Sequence, residues 1–212
     1  MHEEIERLYK SRLGLLEDAR KALESEVVQA LQAFHQIDRI SFRVKSVQSF
    51  LDKAFDPENN PPYVTPLREI EDQLAGRIVV FFLGNIPETK RTCLDTFNVV
   101  ESTSRKPKRD EEFGYESEHF IFQIPPHVKP DGWEEVEDLP TTFELQIRTL
   151  FMHAWAEPQH DLAYKSASDL PGEVRRELAW IAASAWGADR AYDSVRARLA
   201  KADLPPIVLS NG

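Results

Sequence analysis

The chain has 212 residues, of which 42% are hydrophobic and 29% are charged, an ordinary composition for a globular protein. A formal net charge of −10 excludes a protein that coats nucleic acid by bulk electrostatics, and the single cysteine excludes a disulfide framework or a cysteine-rich zinc site. The first residues show no basic segment followed by an apolar one, and no apolar run approaches the length of a membrane span. We therefore predict a cytoplasmic protein with no membrane segment.

The first half of the chain alternates helical and strand patterns. Apolar residues recur at helical spacing over residues 5–34, which predicts one or two helices. Residues 41–45 alternate as a short strand does, and Ser46 is placed to cap the helix that follows. Thr65 and Pro66 are typical of a helix start, and we expect Gly76 to end that helix. The apolar run over residues 77–83 then predicts a strand inside the sheet.

The second half continues in the same way. We predict a helix over residues 87–97, strands over 99–102, 120–124 and 143–148, and a charged loop over 104–114. Helices are predicted over residues 150–165 and 172–201, with a kink at Pro158. Helices before, between and after four or five strands indicate an α+β fold with a mixed sheet.

A group of basic and hydroxyl side chains is the first candidate site. Arg43 and Lys45 are two apart on a predicted strand, and Ser49 and Lys53 are four apart on the next helix, so each pair shares a face. A helix N-terminus beside converging cations suits phosphate groups. Ordinary surface charge explains this group alone equally well.

Two carboxylates form the second candidate site. Asp72 comes just before the strand over residues 77–83, and Glu144 shares one face of the last strand with Gln146 and Arg148. That polar face either meets solvent or forms the floor of a polar site. Two carboxylates close to phosphates would bind Mg²⁺, which prefers oxygen ligands.

Two further motifs are weaker. Tyr115 and His119 lie at the entry to a strand, where they would stack on a base and contact a hydroxyl, or would be an ordinary aromatic and a surface histidine. His153, Glu157 and His160 share a helix face, but their spacing matches no zinc motif, so we expect supporting or substrate contacts there.

Taken in order, these motifs resemble the synthetase domain of the RelA/SpoT family, which makes the alarmones pppGpp and ppGpp. The matching stretches carry Arg43-x-Lys45-Ser46-x2-Ser49-x3-Lys53, Asp72-x2-Ala75-Gly76-Arg77-Ile78, Gly114-Tyr115-x-Ser117-x-His119, Glu144-x-Gln146-Ile147-Arg148-Thr149, and Trp155-Ala156-x3-His160-x3-Tyr164-Lys165. The resemblance covers about residues 40–165. It implies a nucleotidyltransferase-like fold with a mixed, mostly antiparallel sheet of about five strands flanked by helices. Helices over 1–39 and 166–212 would extend this single domain, and no hydrolase or regulatory domain is expected.

The resemblance also implies a reaction, in which pyrophosphate passes from ATP to the 3′-hydroxyl of GDP or GTP and AMP leaves. Asp72 and Glu144 would be catalytic and would bind Mg²⁺, or Mn²⁺ in its place, and Glu144 would activate the hydroxyl. The remaining predicted roles divide by nucleotide: for ATP, Arg43, Lys45, Ser49, Lys53 and Arg77; for the acceptor, Tyr115, His119, Gln146, His153 and Lys108.

Departures from the family pattern lie on the acceptor side. Glu116 and Glu118 replace residues of a Tyr-Arg-Ser-Leu-His run, His153 replaces Asn or Asp, and Gln159 replaces Glu. An adenosine nucleotide or the 3′ end of tRNA is therefore an alternative acceptor, and the protein would then be a growth-inhibiting toxin with an antitoxin as partner. A catalytically silent nucleotide-binding module is the third hypothesis. The last predicted helix carries apolar residues on more than one face, which is compatible with a homo-oligomer.

Overall fold

The computed structural model describes residues 2–59, 61–107, 109, 112–114, 116–162 and 170–202. Five strands form one sheet, and six α-helices surround it in this part of the chain. In chain order the elements are α1 (His2–Ala30), β1 (Ile37–Val44), α2 (Val47–Ala54), α3 (Pro66–Glu69), β2 (Leu74–Val80), α4 (Ile86–Thr96), β3 (Val99–Arg105), β4 (Ser117–Gln123), β5 (Thr142–Thr149), α5 (Leu150–Leu162) and α6 (Gly172–Lys201).

The strand order across the sheet is β1-β2-β5-β4-β3. The β2–β5 pair is parallel, and the other three neighbouring pairs are antiparallel. The predicted mixed, mostly antiparallel sheet of about five strands flanked by helices is therefore confirmed. The parallel pair places the motif that begins at Ala75 directly beside the one that begins at Glu144, because these two residues are register partners.

One face of the sheet supplies most of the hydrophobic core. Phe143, Leu145 and Ile147 of β5 are fully buried on this face, together with Phe122 of the neighbouring strand. Helices α1 and α4 cover the face, and α1 contributes residues such as Leu16 that are also fully buried. Since side chains alternate along a strand, the residues between these apolar ones point to the opposite face.

The segment before β2 differs from the prediction. The helix that begins at Pro66 ends at Glu69, and a short 3₁₀ turn, Glu71–Gln73, leads directly into β2. Gly76 therefore lies inside the strand, and the prediction that it ends a helix was wrong. The physical reason is the pairing with β1: Gly76 is the partner of Phe42, whose ring lies over it. A Cβ atom at Gly76 would come within 2.3 Å of Phe42 Cζ.

Other boundaries moved less. Strand β2 ends at Val80, so the predicted strand over 77–83 was placed too late, and β3 extends to Arg105, which was predicted to lie in the charged loop. The first helix is a single one. The last helix spans the predicted residues, Gly172–Lys201.

Helices α5 and α6 pack together through a second, smaller apolar cluster. Met152 and Trp155 of α5 contact Ala182 and Ala185 of α6, and all four side chains are buried. Another face of α6 is open, since 71% of Trp180 is exposed. The homo-oligomer stays a prediction. Across the described ranges, the helices are all too short or too polar to cross a membrane.

Candidate active site

A cleft of about 1030 Å³ lies on the sheet face opposite the main core. Its floor consists of side chains that alternate with the buried apolar ones, among them Glu144, Gln146 and Arg148 of β5. Arg77 on β2 and His119 on β4 are both register partners of Gln146, so they lie on either side of it. The polar face of β5 is thus the floor of a site. The alternative, a face open to solvent, is not observed.

Asp72 lies at one end of this cleft between two ammonium groups. Lys45 Nζ donates to Asp72 Oδ2 at 2.7 Å, and Lys53 Nζ donates to Asp72 Oδ1 at 2.9 Å. Burial opposes ionisation of this carboxyl group, but the hydrogen bonds and charges of the two lysines outweigh it and lower the pKa of Asp72. Asp72 is therefore an ionised carboxylate with cations on both sides.

Local structure fixes the two lysines relative to each other. The Ser46 side chain accepts from the backbone N of Ser49 at 3.2 Å and so caps α2, as the sequence predicts. Tyr9 on α1 is fully buried, stacks on Phe50 at 3.9 Å and donates from its hydroxyl to the carbonyl of Lys45 at 2.7 Å. The hydrogen bond and the ring stacking from α1 therefore fix the turn that carries Lys45.

Glu144 occupies the middle of the cleft floor. His119 Nδ1 lies 2.8 Å from Glu144 Oε1, and Gln146 Nε2 donates to the same oxygen at 3.1 Å. Because an ionised carboxylate accepts hydrogen bonds, His119 is the donor in this contact. Burial raises the pKa of Glu144, but the two hydrogen bonds outweigh it, and the net shift is downward. Glu144 is thus an ionised carboxylate whose orientation is fixed by His119 and Gln146.

Glu157 on α5 joins two strands of the cleft floor. Its Oε1 atom accepts from Arg77 of β2 and, at 2.7 Å, from Arg148 of β5. Arg148 is only 3% exposed, so this carboxylate neutralises a nearly buried guanidinium. His153 Nδ1 lies 3.5 Å from the same oxygen; burial and the Arg148 charge lower the pKa of His153. Glu157 thus bridges Arg77 and Arg148 across the cleft floor.

The structure brings most of the predicted residues together. Arg43, Lys53, Arg77, Asp72, Glu144, His119 and Gln146 line the cleft. Lys45 contacts Asp72 from beside it, Ser49 lies on α2 one turn before Lys53, and His153 is buried behind Glu157. Lys108 and Tyr115 lie outside the described residues, as do Tyr164 and Lys165.

The two carboxylates fit a divalent cation. Asp72 and Glu144 line the same cleft, and each influences the pKa of its neighbours through its charge. Burial and the charge of Glu101 raise the pKa of Glu71, the charge of Lys53 opposes this rise, and Glu144 and Asp72 add to it, so several carboxylates interact at this end of the cleft. Within the described ranges, no three acidic, histidine or cysteine side chains form a complete metal cage. Two carboxylates that leave the remaining positions to phosphates and water are typical of Mg²⁺.

Several cleft residues were absent from the predicted site. Glu101, Thr103 and Arg105 of β3 line the cleft, as do Glu71 and Trp155. The β3 residues alternate, which is the signal that places them on one face. Thr103 of β3 pairs with His119 of β4, and this pairing makes the face part of the cleft. The sequence pattern did not indicate the pairing. Glu157 was noted on its helix face, but its two arginine partners were not predicted.

The fold and this site define the class of protein. The sequence pattern of the region found in RelA / SpoT proteins matches residues 42–169, more than half of the chain. The chain belongs to the RelA/SpoT family.

Individual relatives and solved structures are also similar to this chain. GTP pyrophosphokinase YjbM from Bacillus subtilis (strain 168) is 30% identical over 171 residues, which cover 78% of this chain and 75% of YjbM. The small alarmone synthetase 1 from Bacillus subtilis has the same fold, with a TM-score of 0.74 at 22% identity over 91% of this chain and 98% of that one. The structure of that synthetase bound to its product pppGpp matches with a TM-score of 0.69 at 22% identity, over 90% of this chain and 98% of that one.

Proposed function

We propose that this protein transfers pyrophosphate from ATP to the 3′-hydroxyl of GDP or GTP and releases AMP. The observation that carries the proposal is the placement of Asp72 and Glu144 in one cleft with three cationic side chains, Arg43, Lys53 and Arg77. Transfers of phosphoryl-type groups need alignment, charge neutralisation and a nearby base, and the cleft offers all three. The relative YjbM is a GTP pyrophosphokinase, which supports the same reaction here.

In this proposal the cationic end of the cleft holds the donor. Arg43, Lys45, Lys53 and Arg77 bind the ATP phosphates, and Ser49 at the α2 N-terminus adds a hydroxyl. Asp72 and Glu144 hold Mg²⁺, or Mn²⁺ in its place, which would neutralise phosphate charge. Asp72 also offsets the mutual repulsion of Lys45 and Lys53, since both ammonium groups donate to its carboxylate.

The acceptor end lies across Glu144. His119 and Gln146 hold the Glu144 carboxylate so that it removes the proton from the 3′-hydroxyl. The hydroxyl oxygen then forms a bond to the β-phosphorus of ATP, the bond from that phosphorus to the bridging oxygen of the α-phosphate breaks, and AMP leaves. His119, Gln146 and His153, with Lys108 and Tyr115, are proposed to contact the acceptor nucleotide.

The test uses purified protein, γ-labelled ATP, Mg²⁺ and GDP or GTP, with product separated by thin-layer chromatography. We expect labelled tetra- or pentaphosphate, and we expect Glu144→Gln to lower the rate at least 100-fold while the melting temperature stays within a few degrees. Glu17→Gln is the matched control, because Glu17 lies on α1 outside the cleft and accepts from Arg20 Nε at 2.7 Å. Absence of labelled product from the wild type would refute the proposal.

The same assay addresses the acceptor. The departures from the family pattern at Glu116, Glu118, His153 and Gln159 motivate an adenosine nucleotide or tRNA as a second candidate. GDP, GTP, ADP and tRNA are therefore compared at equal concentration, with AMP release measured in parallel. Product with ADP or tRNA at a rate above that with GDP would assign the toxin-like reaction, whereas ATP binding without AMP release would indicate a silent nucleotide-binding module.

A further inference from the structure

The hydroxyl group of Thr149 joins three elements next to the cleft. Thr149 is the last residue of β5, directly before α5, and is 1% exposed. Its Oγ1 atom accepts from the backbone N of Met152 at 3.1 Å and donates to Asp189 Oδ2 on α6 at 2.7 Å. Because the single hydroxyl proton goes to Asp189, a lone pair is directed at the Met152 amide. Thr149 thus caps α5, and Asp189 sets the orientation of that cap.

Burial of the Asp189 carboxyl group at this position is unfavourable for folding. It is 3% exposed, and in the part of the chain that the structure describes no donor lies within hydrogen-bond distance of its Oδ1 atom. Burial raises the pKa of Asp189 to about 6, although the Thr149 hydrogen bond opposes the rise. A buried acidic group with a single hydrogen bond lowers the free energy of unfolding.

Helix α5, which begins at this cap, forms a wall of the cleft. Trp155 and Glu157 of α5 line the cleft, and Glu157 holds the guanidinium groups of Arg77 and Arg148. Ala182 and Ala185 on α6, about two turns and one turn before Asp189, pack behind Trp155. The direction of the first turn of α5 therefore determines where the Glu157 carboxylate lies over the cleft floor.

We propose that Asp189 is a positioning residue for the nucleotide cleft, because it orients the Thr149 hydroxyl that starts α5 and thereby places Glu157 on Arg77 and Arg148. The expected effect on KM for ATP rests on the proposed pyrophosphate transfer. The expected effect on the first turn of α5 does not depend on that function, so the two effects are tested separately.

The kinetic test compares Asp189→Leu with Asp189→Asn. The leucine side chain has similar volume and no acceptor, whereas the amide oxygen of asparagine still accepts from Thr149. We expect Asp189→Leu to raise KM for ATP about tenfold and to change kcat less than threefold, since Asp72 and Glu144 do not lie on α5. Asp189→Asn is expected within twofold of the wild type. Partial unfolding would lower kcat and leave KM unchanged, so the division between the two constants separates positioning from simple destabilisation.

Asp193 supplies the matched control. It lies one turn further along α6 and accepts from the backbone N of Gly84 at 3.2 Å, so it also tethers α6, but away from the α5 cap. Asp193→Leu removes the acceptor for the Gly84 amide and is expected to leave KM for ATP within twofold. A tenfold rise of KM in this variant would show that any loosening of α6 has the same effect, and would overturn the specific role of Asp189.

Hydrogen exchange tests the helix start directly, without reference to activity. We expect the Met152 amide to exchange about tenfold faster in Asp189→Leu and in Thr149→Val, and no faster than in the wild type in Asp189→Asn and Thr149→Ser. If Asp189→Leu does not fold, Thr149→Val is used for both the kinetic and the hydrogen-exchange measurement. Unchanged exchange in both Asp189→Leu and Thr149→Val would overturn the proposal. A wild-type protein without transferase activity would instead refute the proposed function, and the exchange rates would still decide the role of Asp189.

Discussion

Replacing Gly76 by alanine tests the close contact between the backbone of β2 and the ring of Phe42. An added Cβ atom would lie 2.3, 2.5 and 2.7 Å from three atoms of the Phe42 ring, well inside van der Waals contact. The ring has little room to move, because Phe42 is 8% exposed and its centroid lies 6.2 Å from that of Phe143. Gly76 directly precedes Arg77, so a shift of β2 would also reach the cleft.

The magnitude follows from two opposing effects. Overpacking of a filled core costs about 1–3 kcal/mol, and this contact is at the severe end of that range. Alanine also restricts the unfolded chain more than glycine does, which raises the free energy of unfolding by about 0.4–1 kcal/mol. We expect Gly76→Ala to lower the free energy of unfolding by about 2 kcal/mol. For a chain of 212 residues this corresponds to a fall in melting temperature of about 4–8 °C.

Urea titration of four proteins measures the effect: the wild type, Gly76→Ala, Phe42→Leu and the double variant. Because leucine is shorter than phenylalanine, it makes space for the new methyl group, and the double variant is expected to be at least about 1 kcal/mol more stable than the sum of the single effects predicts. Gly14→Ala is the control, since Gly14 lies in α1 with nothing within 4 Å of an added Cβ, and it should gain up to about 1 kcal/mol. Additive single effects in the cycle would refute the packing argument.

Three further predictions concern polar groups. Glu157→Gln removes the charge that neutralises the buried Arg148, so we expect a loss of about 1 kcal/mol in urea titration and a smaller loss in 1 M salt; equal losses at both salt concentrations would contradict a charge effect. Tyr9→Phe removes the hydrogen bond to the Lys45 carbonyl, which should cost about 1 kcal/mol by thermal unfolding and leave the fold intact by circular dichroism; an unchanged melting temperature would contradict it. Burial raises the pKa of Asp189 to about 6 from 3.8, so its proton stabilises the fold below about pH 4 and this stability is lost as pH rises through 6. Asp189→Asn should therefore be more stable than the wild type by up to about 3 kcal/mol at pH 8 and equally stable near pH 4, and a difference independent of pH would contradict the shift.

Much of the fold could be predicted because it depends on local periodicity. Alternating side chains over residues 143–148 identified β5, and Ser46 identified the start of α2, since a capping hydroxyl acts within three residues. Gly76 shows where this approach ends. Its position before an apolar run is typical of a helix end, whereas its actual role depends on Phe42, a strand partner 34 positions earlier in the chain.

The candidate site divides in the same way. Local patterns identified which carboxylates and cations share a strand or helix face, and the resemblance to the RelA/SpoT family predicted Asp72 and Glu144 as partners. The packed fold was needed to show that Glu157 bridges Arg77 and Arg148, and that Asp189 reaches Thr149 from the last helix. Periodicity fixes the direction of a side chain over a few residues, whereas a hydrogen bond between distant residues requires both of their elements to be packed in place.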